Sequence, residues 1–314
     1  MLTVLAGGVG AARFLRGLAH LFDREPGRRV DVTVIVNVAD DLDRLGLRVC
    51  PDLDTITYTL GGAIHREQQW GRSEESFTVA KELERYGEDG WFTLGDRDLA
   101  LHLHRTERLT QGESLHRITA DVAAAWKVPF TLLPATNERV ATHIHTVDRR
   151  DLPFQDWWIR ERAEPEVARV ELRGRSSARP APGVLQAIAS CDRLIVCPSN
   201  PVVSIGTILE IPGIAGAVAD ATAPTVGVSP IVGGNVVRGM ADRLLPAIGV
   251  EVSARGVAQH YAPWLNGWVI DQVDASSADD IRDLGLAVAV TNTMMDDPEI
   301  AADLAATVLD LPCD

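Results

Sequence analysis

The chain opens on an unbroken apolar run, Leu2-Thr3-Val4-Leu5-Ala6, that stops at Gly7-Gly8-Val9-Gly10. Beyond it the apolar positions are Phe14, Leu15, Leu18, Leu21 and Phe22, the spacing of a helix from Ala11 to Phe22 with one buried face. Val30 to Val38 is nearly continuous and β-branched, as suits a parallel strand covered on both sides. Strand, glycine turn, helix and strand form a βαβ unit, whose crossover is expected to be right-handed.

The texture then changes. From Tyr58 to Val128 the pattern predicts helices and no clear buried strand. Ser73 is placed to cap a helix through Tyr86 that Gly87 stops, Asp96 to cap another through Leu109, and Ser114 a third ending near Lys127. Strand patterns return at Phe130–Leu133, Thr142–Val147 and Val167–Leu172. Arg193–Cys197 and Pro224–Val228 read as further parallel strands, each followed by a polar turn. The last third alternates short helices (near Met240–Ile248, Ser253–His260, Ala278–Leu284 and Pro298–Leu309) with strands near Trp268–Ile270 and Ala287–Val290. The expected fold is α/β: a doubly wound, mostly parallel Rossmann-like sheet from residues 1–57 and 129–314, with a helical insertion subdomain over 58–128.

Composition narrows the function. Apolar residues make up 46% of the chain, enough for a deep core. A formal charge of −14 argues against nucleic acid or an anionic membrane as partner. Phosphates would have to be held locally, by main-chain amides, a few arginines or a metal. The cysteines (Cys50, Cys191, Cys197, Cys313) form no Cys-x-x-Cys pair and read as thiols of a reducing compartment. The start resembles no signal peptide and no apolar run approaches a membrane span, so a cytoplasmic protein is expected.

Four segments carry candidate chemistry. Gly7-Gly8-Val9-Gly10 follows a strand and opens a helix, so its amides face an anion at a helix N-terminus, with Arg13 in the first turns to add a charge. It is neither a P-loop nor a full dinucleotide fingerprint, since Arg13 stands where the third glycine belongs. Asn37-Val38-Ala39-Asp40-Asp41 closes the second strand, and Pro51-Asp52-Leu53-Asp54-Thr55 follows; carboxylates beside a phosphate site suit magnesium. Plainer roles exist for two of them: Asp52 as a helix N-cap and Asp54 as a first-turn acid that the cap does not need. Leu94-Gly95-Asp96-Arg97-Asp98 lies in the insertion. The loops Pro198–Gly206 and Ser229–Gly234, rich in proline, glycine and hydroxyls, sit where open α/β sheets bind ligands. His143 with His145, His102 with His104, and Trp157-Trp158 read as structural.

In order along nearly the whole chain, Gly7–Arg13, Val36–Asp41, Pro51–Thr55, Leu94–Asp98, Phe154–Trp158, Pro198–Gly206 and Ser229–Gly233 resemble the CofD/FbiA-type transferases of deazaflavin coenzyme F-420 biosynthesis. The resemblance implies that the ribityl hydroxyl of the deazaflavin Fo attacks a guanosine-diphosphate-activated three-carbon acid (lactate, enolpyruvate or a glycerate), releasing GMP. It implies magnesium on Asp40 and Asp54, deazaflavin facing Asp54 and Arg97, and Asp52 or Asp54 as acceptor of the alcohol proton. Gly7, Gly8, Val9, Gly10 and Arg13, with Ser199, Asn200, Pro201, Ser204 and Gly206 and with Ser229, Ile231 and Gly233, would hold the guanosine diphosphate part. A homodimer is expected. One departure is Asp43, where the family often has a tryptophan.

Two rivals stand beside this reading. A non-catalytic nucleotide-sugar-binding regulatory protein would share the glycine turn and an acidic pair, but not Pro51–Thr55, Leu94–Asp98 or Phe154–Trp158. An NAD(P)-dependent oxidoreductase would need a fuller glycine fingerprint and one acid about 20 residues beyond it.

Overall fold

The computed structural model describes residues 1–313. Seven strands form one parallel sheet: β1 (Leu2–Ala6), β2 (Val32–Val36), β3 (Thr131–Pro134), β4 (Arg193–Val196), β5 (Thr225–Val228), β6 (Gly267–Asp271) and β7 (Ala287–Thr291). Their order is β7-β6-β5-β4-β1-β2-β3. The chain winds outward from β1 through β2 to β3, then restarts on the other side at β4. Neighbouring strands β1 and β4 therefore send their connections in opposite directions, and a crevice opens above them. All five residues of β1 are buried, as a central strand covered on both faces must be.

Helix α1 (Gly8–Arg24) turns Phe14, Leu15, Leu18, Leu21 and Phe22 into the core, the residues its spacing predicts. Against it lies the C-terminal helix Pro298–Asp310, so close that a Cβ on Gly17 would stand 2.4 Å from the Ala301 carbonyl carbon. Ser253 and Asp297 cap their helices through Gly256 N and Ile300 N.

Three features depart from expectation. Strands Ala141–Thr146 and Val167–Arg173 exist, but pair antiparallel with each other, and the former also with Asp151–Pro153, in a separate three-stranded sheet. The one-sided alternation of Ala141–Thr146, with Thr142, Ile144 and Thr146 inward and the histidines between them less buried, is the signature of a half-covered antiparallel strand. A small hairpin, Leu42–Arg44 with Leu47–Val49, precedes α2 (Pro51–Leu60), which runs through residue 58.

The helix begun at Ser73 shrinks to α3 (Thr78–Glu84), and α4 (Asp96–Thr110) has Gly95 rather than Asp96 at its N-cap. The caps are exchanged. Asp96 accepts from the amides of Thr78 and Val79, both at 3.0 Å, at the start of α3. Glu75 accepts from the amides of Arg97 and Asp98, both at 2.8 Å, at the start of α4. A Cβ on Gly95 would lie 2.3 Å from the Glu75 carboxyl carbon, so a side chain there would displace this cap. Helix α5 (Leu115–Ala125) then packs on β3. Among the described residues no helix is long and apolar enough to cross a membrane.

Candidate active site

Above the crevice between β1 and β4 lies a cavity of about 1070 Å³. Its floor is made by the segments that follow the strands: Gly7–Gly10 after β1, Asp40 after β2, Pro198–Asn200 with Val203 and Ser204 after β4, and Ser229-Pro230 after β5. A second wall comes from Tyr58, Trp70, Phe77, Trp91, Phe92, Phe154 and Trp158, broad apolar faces suited to a planar ring system. That volume stands at the upper end of the range for small-molecule sites.

The glycine turn is built by close approach. A Cβ on Gly7 would fall 2.7 Å from Ser204 Cβ and 2.9 Å from Asp52 Oδ2, and one on Gly10 would fall 2.1 Å from the Pro198 carbonyl oxygen. Gly8 has φ +68°, a conformation costly for any residue with a side chain. The Gly7 amide donates to Ser199 Oγ at 3.3 Å, tying the first loop to the fourth. Asn200 Oδ1 accepts from the amides of Val202 (2.9 Å) and Val203 (3.3 Å), which starts the turn Pro201–Gly206. Gly7, Gly8, Val9 and Gly10 line the cavity where α1 opens, and the first amides of a helix have no acceptors within it, the arrangement of an anion site.

The four acids separate into two kinds. Asp41 is answered by Arg48 at 2.7 Å and by the Cys50 thiol at 3.0 Å. Asp54 is clamped on both oxygens by Arg105, Nη1 to Oδ2 at 3.1 Å and Nη2 to Oδ1, and also accepts from the Cys50 amide at 3.3 Å. The acid expected to be spare at the head of α2 thus serves the helix end, while Asp52 does not cap it. Asp52 Oδ2 instead accepts from Asn37 Nδ2 at 2.9 Å, beside the glycine turn. Asp40 accepts from Thr142 Oγ1 at 3.1 Å. Neither Asp40 nor Asp52 has a cationic side chain as ion-pair partner among the described residues. Burial, and then the charge of Asp52, drive the Asp40 carboxyl well above its usual range. Burial pushes Asp52 up to about 6 despite its hydrogen bonds from Asn37 and Gly8.

Two buried, mutually repelling carboxylates that line the same cavity fit a divalent cation. No cluster of three or more His, Cys, Asp or Glu placed to hold a metal occurs among the described residues. A cation there would complete its shell with substrate oxygens and water, the habit of magnesium.

Beside the acids stands a polar layer of which the sequence pattern singled out only the end that belongs to Leu94–Asp98. Asp98, His102 and Arg105 share the inner face of α4, with His102 fully buried. Tyr58 Oη donates to Asp98 at 2.6 Å, and His102 Nε2 lies 3.3 Å from Asp98 Oδ2. The signal was present as polar residues at i, i+4 and i+7, where an amphipathic helix normally carries its apolar stripe. Of the residues expected at the site, Gly7, Gly8, Val9, Gly10, Arg13, Asp40, Asp52, Asp54, Ser199, Asn200, Ser204 and Ser229 line the cavity. Pro201, Gly206, Ile231 and Gly233 belong to the same loops but do not line the cavity. Arg97 points elsewhere, pairing with Glu74 at 3.2 Å with half its side chain exposed, while its neighbours Gly95 and Asp98 do line the cavity. Asp43 is a surface charge held by Arg139 at 2.7 Å.

Over residues 2–302 the chain matches the family described as 2-phospho-L-lactate transferase CofD. It belongs to that family. It is 47% identical to a Streptomyces griseus protein named phosphoenolpyruvate transferase, across 99% of this chain and 98% of that one. A Thermobifida fusca protein of the same name is 50% identical, across 99% and 97%. Among solved structures, protein BH3568 from Bacillus halodurans superposes with a TM-score of 0.64 over 98% of this chain and 99% of that one. At 19% identity that likeness speaks to the fold alone.

Proposed function

We propose that the protein transfers a phosphoenolpyruvyl group from a guanosine-diphosphate-activated donor to the ribityl hydroxyl of the deazaflavin Fo, with magnesium, giving the dehydro form of coenzyme F-420-0 and GMP. One observation carries the reading: an anion-binding turn, an uncompensated pair of carboxylates and an aromatic wall share a single cavity at the switch point of the sheet. Relatives named phosphoenolpyruvate transferase favour enolpyruvate over lactate as the acid.

In this reading the opening amides of α1 and the loops Ser199–Ser204 and Ser229-Pro230 hold the nucleotide, and the aromatic wall holds the deazaflavin. Asp40 and Asp52 would hold magnesium, which when bound neutralises phosphate charge and fixes the geometry of in-line displacement. Asp52 takes the place first given to Asp54, because Arg105 occupies both Asp54 oxygens. Asp54 still lines the cavity, and a lone pair that Arg105 leaves open would accept a hydrogen bond from the attacking hydroxyl. Bringing both substrates into one enclosed space supplies much of the rate through orientation. A homodimer is part of the same proposal.

The test incubates purified protein with Fo, magnesium and either the enolpyruvyl or the lactyl guanosine donor, and follows GMP release and product mass. Formation of the dehydro product only with the enolpyruvyl donor is expected. Absence of Fo-dependent GMP release with either donor rejects the reading in favour of a nucleotide-binding protein without catalysis.

A further inference from the structure

Beside the glycine turn three arginines gather without a carboxylate to answer them. In this acidic chain guanidinium groups commonly hold acids, as Arg24, Arg48, Arg105 and Arg108 do. Arg13, Arg16 and Arg238 have no acid within ion-pair distance among the described residues. Arg13 Nε donates to Gln69 Oε1 at 3.3 Å, Arg238 donates to the Gln68 carbonyl, and Arg16 Nε is buried without a hydrogen-bond partner. Arg13 and Arg16 lie three residues apart on α1 and so share a face. Burial, then the positive charge of Arg13, lowers the pKa of both Arg16 and Arg238. A cation cluster of this kind costs free energy that an anion would offset.

Its position says which anion. Arg13 and Arg238 line the cavity that holds Asp40 and Asp52. Asp52 sits against Gly7, at the very start of α1, whereas Arg13 is five residues beyond Gly8, about 7 Å along the axis. A diphosphate spanning the turn would thus meet carboxylates at one end and guanidiniums at the other.

Building on the transfer reading, we propose that Arg238 joins Arg13 in binding the phosphate that departs with GMP, with Arg16 adding its charge from behind them, while Asp40 and Asp52 serve the phosphate that is transferred. The hydroxyl oxygen of the acceptor bonds to the phosphorus bearing the three-carbon acid, and its proton passes to solvent. The bond from that phosphorus to the bridging oxygen breaks, and its electron pair stays with GMP. The arginines face the charge that develops there, and their contacts to the uncharged Gln68 and Gln69 are exchanged for ion pairs with phosphate.

Calorimetric titration of the full-length protein with GMP tests this. Arg13→Gln and Arg238→Gln are each expected to weaken GMP about tenfold, equally in magnesium and in EDTA. Quenching of Fo fluorescence should be unchanged in both, showing that the cavity is intact, and the exposed Arg243→Gln should bind GMP as the wild type does. Unchanged GMP affinity in both variants overturns the assignment, and so does a loss seen only with magnesium. A wild type that binds neither GMP nor Fo would instead bring down the transferase reading itself.

Discussion

Replacing Asp52 by asparagine should make the metal-free protein more stable and stop turnover. The carboxyl is buried and its pKa stands at about 6 against an ordinary 3.8. A carboxyl with a folded pKa raised in this way favours folding fully only below its unfolded pKa. That contribution is lost as pH rises through the folded value, here between about 4 and 6. At pH 7 the two-unit shift corresponds to about 3 kcal/mol of penalty. The substituted amide would keep an oxygen for the 2.9 Å bond from Asn37 Nδ2, but not for the Gly8 amide as well. Losing that second bond costs about 1 kcal/mol, leaving a net gain of about 2 kcal/mol. For a chain of this size the gain raises Tm by about 3 °C. Calorimetric scans from pH 4 to pH 8 provide the measurement. The Tm difference between Asp52→Asn and wild type should be near zero at pH 4, grow as pH rises from about 4 to 6 and level off above that, with GMP release abolished throughout. A variant that is less stable at pH 7, or a difference independent of pH, would refute the argument that Asp52 is held at a cost for the sake of a ligand.

Arg105→Leu leaves Asp54 buried without its clamp and should destabilise the protein by about 3–5 kcal/mol in chemical denaturation, whereas adding Asp54→Leu should recover most of that loss without restoring activity. Gly10→Ala pushes a Cβ into the Pro198 carbonyl, at 2.1 Å, and should abolish GMP binding by calorimetry. Gly8→Ala meets open space and only a φ penalty of about 1–2 kcal/mol, so it should fold and bind weakly; equal effects from the two would show that close approach of the loops is not what the turn is for.

The βαβ opening was legible because a fully covered sheet needs continuous apolar strands and α1 needs a one-faced stripe; both are local patterns. The turn residues were legible for the same reason, since glycine and proline mark backbone constraints directly. The roles of individual acids were not. Asp52 and Asp54 are two residues apart at the head of one helix, and only the approach of Arg105 from α4 and Asn37 from the end of β2 tells the ligand-ready carboxylate from the clamped one. Arg97 was expected to face the cavity, but the turn of α4 brings Asp98 there instead. Asp96 illustrates the limit well: its sequence context is that of a cap, and it is one, but for the helix before its own.

That borrowed cap has a mechanical consequence. Because α3 takes its terminal acceptor from the threshold of α4, and α4 takes its own from the approach to α3, unravelling either first turn exposes the other's amides at the same moment. Residues 75–98 are thereby riveted into one plate, and Glu75, Phe77, Trp91, Phe92 and Leu94 ride on it as part of the cavity wall. A change at either carboxylate should therefore loosen both first turns together, along with the stretch of cavity wall strung between them.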